Sequence, residues 1–99
     1  MRHRVAPLSK LPDGHGWLVE IDGQEIALFR RGAEVHALDN VCPHRGAALA
    51  FGEVRAGVVF CPLHAWPFDV RTGGCPEFPE VSVRTFPVHV EGGDVFVEL

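Results

Sequence analysis

Ninety-nine residues suit one small domain, since a chain of this length buries only about two-thirds of the surface its unfolded form exposes. Apolar residues make up 46% and the rest are well mixed, which excludes a disordered segment. The net charge of -4, with no basic run longer than Arg30-Arg31, argues against nucleic acid as a partner.

The opening residues alternate base and apolar, Met1-Arg2-His3-Arg4-Val5, and then meet Pro7. No apolar stretch has signal-peptide length and none later could span a bilayer, so the expected address is cytoplasmic, with no membrane partner.

Three strands follow in succession. Trp17 to Ile21 reaches Asp22-Gly23, Glu25 to Phe29 reaches Arg31-Gly32, and Glu34 to Leu38 completes a meander. From about residue 40 to 79 the texture changes: five of the eight prolines and five glycines fall there, with one strong strand, Val58-Val59-Phe60. That stretch reads as a loop-rich subdomain, with one helical turn at most near 46–50.

After it, Phe86, Val88 and Val90 alternate with other residues, as do Val95, Val97 and Leu99. Gly92-Gly93-Asp94 between them makes a hairpin. One hairpin face is apolar and must pack on the meander, because an isolated hairpin is not stable. The chain therefore reads as all-β, one domain over residues 1–99 with the loop-rich subdomain at about 40–79.

The loop-rich stretch carries the chemistry. Cys42-Pro43-His44 and Cys61-Pro62-Leu63-His64, separated by sixteen residues, each pair one thiolate donor with one imidazole donor. A tetrahedral zinc site also uses two cysteines and two histidines, and a zinc-stabilised binding module is one alternative. Zinc motifs, however, usually pair like with like, whereas each segment here is mixed.

Mixed segments make sense if two metal atoms are present, one held by thiolates and the other by imidazoles, with each loop bridging the pair. That is the arrangement of a Rieske [2Fe-2S] cluster. The third cysteine, Cys75, has no thiolate-favouring neighbours and reads as a small packing residue. His3, His15, His36 and His89 lack cysteine neighbours and are not expected to be ligands. Three cysteines are also too few for a disulfide framework.

The segments Cys42-Pro43-His44-Arg45-Gly46 and Cys61 to Asp69, extended by Val70-Arg71-Thr72-Gly73-Gly74, resemble the two cluster-binding boxes of Rieske-type proteins. Val35 to Asn40 and the closing hairpin also sit where that family has them. The resemblance implies layered antiparallel sheets with one [2Fe-2S] cluster at the tip of a loop subdomain, bound by Cys42, His44, Cys61 and His64.

High-potential members carry a further cysteine in each box, joined as a disulfide. Ala47 and Leu63 stand at those places here. The serine and tyrosine that donate to sulfur in those proteins are also missing, Ala65 following His64 and tyrosine being absent. Hydrogen bonds to sulfur favour the reduced cluster, so the expected midpoint lies at the low end of the Rieske range, about -150 mV. Trp66 and Phe68 are expected to shield the cluster, and Arg45 to lie on the exposed tip.

No nucleophile or acid-base pair accompanies the boxes, so the chain reads as a one-electron carrier or subunit without an active site of its own. The resemblance implies two homes. The one it favours is the small subunit of a cytoplasmic NAD(P)H-dependent nitrite reductase, its partner a large subunit with flavin and sirohaem; the box from Cys61 to Gly73, together with Glu80 to Val88 and Glu91-Gly92, looks most like that group. The other is a ferredoxin between a flavin reductase and a ring-hydroxylating oxygenase.

Overall fold

The computed structural model describes residues 1–43, 46–63 and 65–99. Where the sequence alternates or runs apolar between glycine turns, strands form. The meander is β2 (Gly16–Ile21), β3 (Gln24–Arg31) and β4 (Glu34–Asp39), antiparallel throughout. A strand the sequence reading did not define, β1 (Arg2–Pro7), precedes it.

The loop-rich stretch holds β5 (Glu53–Arg55), β6 (Val58–Phe60) and β7 (Pro67–Asp69), an antiparallel three-stranded sheet. Only β6 was expected. The helical turn expected near 46–50 is a 3₁₀ turn over Leu49–Phe51.

The closing segment is divided between two sheets. β8 (Thr85–Phe86) pairs with β4, giving the order β2-β3-β4-β8, whereas β9 (Val88–Glu91) pairs with β10 (Asp94–Glu98) in the sheet β1-β10-β9. Pro87 marks the change. It has no N–H to give a ladder, and its carbonyl accepts the Glu98 N–H at 2.9 Å.

β3 is the wall between two apolar cores. Its run Ile26-Ala27-Leu28-Phe29 is buried on both faces, and strand alternation sends these residues in opposite directions. Ile26 and Leu28 join Val35, Phe86, Val95 and Val97, so the apolar face of the hairpin does pack on the meander. Ala27 and Phe29 join Leu38, Val59 and Phe68 in a second core that also contains all three cysteines. That second core is the floor beneath the loops.

Candidate metal centre

Two hairpin loops of equal length carry the paired motifs. Residues 42–47 lie between the antiparallel partners Val41 and Ala48, and residues 61–66 between Phe60 and Pro67. Their backbones are bonded alike. The Cys42 N–H donates to the Ala47 carbonyl at 2.9 Å and the Gly46 N–H to the Cys42 carbonyl at 2.7 Å. In the second loop the Cys61 N–H donates to the Trp66 carbonyl and the Ala65 N–H to the Cys61 carbonyl, both at 2.9 Å.

The fifth residue of each loop is left-handed, Gly46 at φ 71° and Ala65 at φ 55°. The glycine adopts this without strain. The alanine does so against the steric preference of its Cβ.

A third loop, Asp69 to Gly74, repeats the pattern with neither cysteine nor histidine. The Asp69 N–H donates to the Gly74 carbonyl at 2.8 Å, the Gly73 N–H to the Asp69 carbonyl at 2.7 Å, and Gly73 has φ 77°. Here Asp69 Oδ1 accepts the N–H groups of Arg71 at 2.8 Å and Thr72 at 3.3 Å. In the second loop the N–H of Leu63, two residues on, donates in the same way to the Cys61 sulfur. The loop thus treats the first-position side chain as an anion and aims backbone dipoles at it.

The loops bring Cys42 and Cys61 together, 1% and 2% exposed, with a hydrogen bond between their side chains. Burial pushes the Cys61 thiol up from its ordinary value, the Leu63 N–H draws it down, and Cys42 raises it further. Two buried sulfurs at such range resist ionising together unless a cation binds both. Such a pair could hold a metal.

His44, Arg45 and His64 lie outside the described residues, so the imidazole half of the predicted ligand set and the expected exposure of Arg45 rest on the sequence. The other histidines are placed elsewhere. His36 lies 3.3 Å from Glu34 and His89 3.2 Å from Glu98. Cys75 is buried in the second core, with its N–H on the Val81 carbonyl at 3.1 Å. Phe68 is fully buried beneath the loops, while Trp66 packs on the same core and stacks on Phe78 with ring centroids 4.8 Å apart.

One positioning residue escaped the sequence reading. Asn40 is 1% exposed and ties three segments together. Its Oδ1 accepts the Ala50 N–H at 2.9 Å, its Nδ2 donates to Glu25 Oε1 at 3.2 Å, and its carbonyl accepts the Leu49 N–H at 2.8 Å. The first loop, which starts two residues later, is thereby fastened at both ends, to β3 and to the 3₁₀ turn.

Known proteins share this architecture. The ferredoxin subunit of the 3-phenylpropionate/cinnamic acid dioxygenase of Escherichia coli (strain K12) is 37% identical over 97 residues, covering 96% of this chain and 91% of that protein. The ferredoxin of carbazole 1,9a-dioxygenase from Nocardioides aromaticivorans IC177 superposes with a TM-score of 0.91 at 38% identity, covering 98% of this chain and 96% of that one. A Mycobacterium tuberculosis protein assigned as an NADH-dependent nitrite reductase small subunit gives 0.89 at 32% identity, covering 98% and 93%.

No helix among the described residues is long and apolar enough to cross a membrane. The model of the Rieske [2Fe-2S] domain matches residues 1–87, and with it comes the [2Fe-2S] cluster as cofactor. The chain belongs to the Rieske [2Fe-2S] family and is an electron-transfer protein.

Proposed function

We propose that Cys42, His44, Cys61 and His64 hold the cluster, and that the chain is a ferredoxin carrying single electrons from a flavin reductase to a ring-hydroxylating oxygenase. The observation that carries this reading is the pair of buried sulfurs brought side by side by two loops of matching geometry. When bound, the cluster supplies reversible one-electron transfer.

The protein's own residues do the rest. The Leu63 N–H stabilises negative charge on the Cys61 sulfur, and Phe68 and Trp66 exclude water beneath and beside the loops. His44 and His64, which follow the cysteines in the sequence, would supply the imidazole donors. Among the loop residues described, Pro43, Gly46, Pro62, Leu63 and Ala65 are exposed, so a partner can approach. The dioxygenase ferredoxins at 37% and 38% identity support an oxygenase as acceptor.

The second reading is the small subunit of a cytoplasmic NAD(P)H-dependent nitrite reductase, favoured by the segment from Glu80 to Val88 and by the likeness to the M. tuberculosis chain. The two are separated by supplying the holoprotein with NADH and each set of partners. A flavin reductase and dioxygenase should oxidise the aromatic substrate only when the chain is added. Chain-dependent ammonium formation with a sirohaem reductase, and no aromatic product, would select the second reading.

A further inference from the structure

Two glycines press on the 3₁₀ turn Leu49–Phe51, Gly16 from β2 and Gly52 at the end of the turn itself, and neither has a left-handed φ. Gly52 stands at φ -76° and ψ 159°, extended backbone open to any residue. What both positions lack is room for a side chain. A Cβ on Gly16 would overlap the Ala50 carbonyl oxygen and stand 2.9 Å from Ala50 Cα. One on Gly52 would overlap the Phe60 carbonyl oxygen and stand 3.0 Å from Val59 Cγ2. Backbone lies against backbone at both places, so no rotamer change relieves the overlap.

The two contacts differ in what lies behind them. Gly16 seats the turn on the scaffold, at a residue whose N–H Asn40 already holds at 2.9 Å. Gly52 meets the second cysteine loop. The Phe60 carbonyl and the Cys61 N–H belong to one planar peptide unit, so whatever displaces that oxygen moves the Cys61 nitrogen with it. This N–H closes the second loop on the Trp66 carbonyl at 2.9 Å.

Behind Gly52 is the first cysteine loop. The Gly52 N–H donates to the Leu49 carbonyl at 3.0 Å, the Phe51 N–H to the Ala48 carbonyl at 3.1 Å, and Ala48 bridges to Val41 beside Cys42. Glu53, the next residue, is paired with Phe60 in the β5–β6 ladder, so the strands cannot spread there without breaking it. An added methyl is therefore accommodated by moving the Phe60–Cys61 peptide or the turn, and either shifts one loop against the other.

We propose that Gly52 is a positioning residue of the metal centre: its bare Cα lets the turn after the first loop close on the Phe60–Cys61 peptide, which sets how the Cys61 sulfur stands to that of Cys42. The proposal rests on the reading of both cysteines as ligands.

The test is Gly52→Ala in the holoprotein, since alanine fits the backbone angles and adds only the methyl. The reduced cluster should show shifted g-values in its electron-spin signal, and iron should pass to a chelator about tenfold faster than from the parent chain. Amide protection in β9 and β10 should match the parent's, and loss of the cluster with that protection retained is the stronger form of the same result. Gly74→Ala is one control, because a Cβ there meets nothing nearer than Thr72 Oγ1 at 3.4 Å and the φ is not left-handed. Val95→Ala, in the core under the hairpin, is the other; it should lower stability and leave the signal in place. An unchanged signal and rate in Gly52→Ala, an equal shift in either control, or a chain unfolded throughout would overturn the positioning role, the last by making Gly52 a packing residue of the whole fold. Cys61→Ser separates the two failures, because the parent's signal in that variant would overturn the ligand reading itself, whatever Gly52→Ala does.

Discussion

The two cores of this small protein are held together in different ways. The core under the hairpin is made of Ile26, Leu28, Val35, Phe86, Val95 and Val97, on strands whose ladders satisfy their own backbone. The core under the loops has comparable apolar residues, yet three-residue strands and one-turn segments surround it, and its sulfurs face one another. The first is a scaffold complete in itself. The second places two thiols side by side, where burial and their mutual contact favour the protonated form. β3, buried on both faces, is where one region transmits its rigidity to the other.

The sharpest way to break that division is at Asn40. Asn40→Ala leaves the buried Ala50 N–H without its partner and removes the tie to the exposed Glu25 carboxylate, which should cost about 2 kcal/mol. Hydrogen exchange should locate the loss. Amides of residues 41–52 should lose protection, while those of β9 and β10 keep theirs; a uniform loss across both regions would show that the loops are not separately anchored.

Ala65 offers a smaller change of opposite sign. It stands at φ 55°, where the matching loops place Gly46 and Gly73, so Ala65→Gly should stabilise the loop region by about 1 kcal/mol. Chemical denaturation of the variant beside the parent chain measures this. A loss of stability would mean that the Cβ of Ala65 makes a contact worth more than the strain it imposes.

The smallest effect concerns the metal-free chain at high pH. The folded Cys61 thiol is raised above its ordinary value of 9.0 by burial and by Cys42. Below that value both folded and unfolded chains keep the proton and stability is full. As pH rises past it the unfolded chain releases its proton first, so stability falls toward the folded value. Denaturation midpoints at pH 7 and pH 10 should show the decline, and Cys61→Ser should reduce it.

What could be read in the residues differs between the same two regions. The meander and hairpin were legible because period-two alternation and glycine turns are local signals. Pro87 was also visible, but that it divides the last strand between two sheets depends on which neighbour each half meets. β5 and β7 were missed because three residues are too few to show a period, and Pro67 argues against a strand. Asn40 could not be read as a clamp, since Glu25 and Ala50 reach it only through the fold.

The candidate ligands stood out in the sequence because cysteine and histidine in mixed pairs have few other uses. The Leu63 N–H and the kinship of the loops with Asp69 to Gly74 did not, because backbone donors leave no mark in a sequence. Ala65 drew notice for the hydroxyl it lacks. Its left-handed backbone tells more about how the loop is made.

Everything functional turns on whether the imidazoles of His44 and His64 complete what the sulfurs of Cys42 and Cys61 begin. Protein grown with ¹⁵N-histidine, reduced and examined by pulsed electron-spin resonance, reports this at the metal. Two strongly coupled ¹⁵N nuclei should accompany a rhombic signal from two irons and two labile sulfides per chain, and His64→Cys should remove one of the couplings. A reduced cluster without strong nitrogen coupling, or a colourless protein holding one zinc, would contradict the assignment.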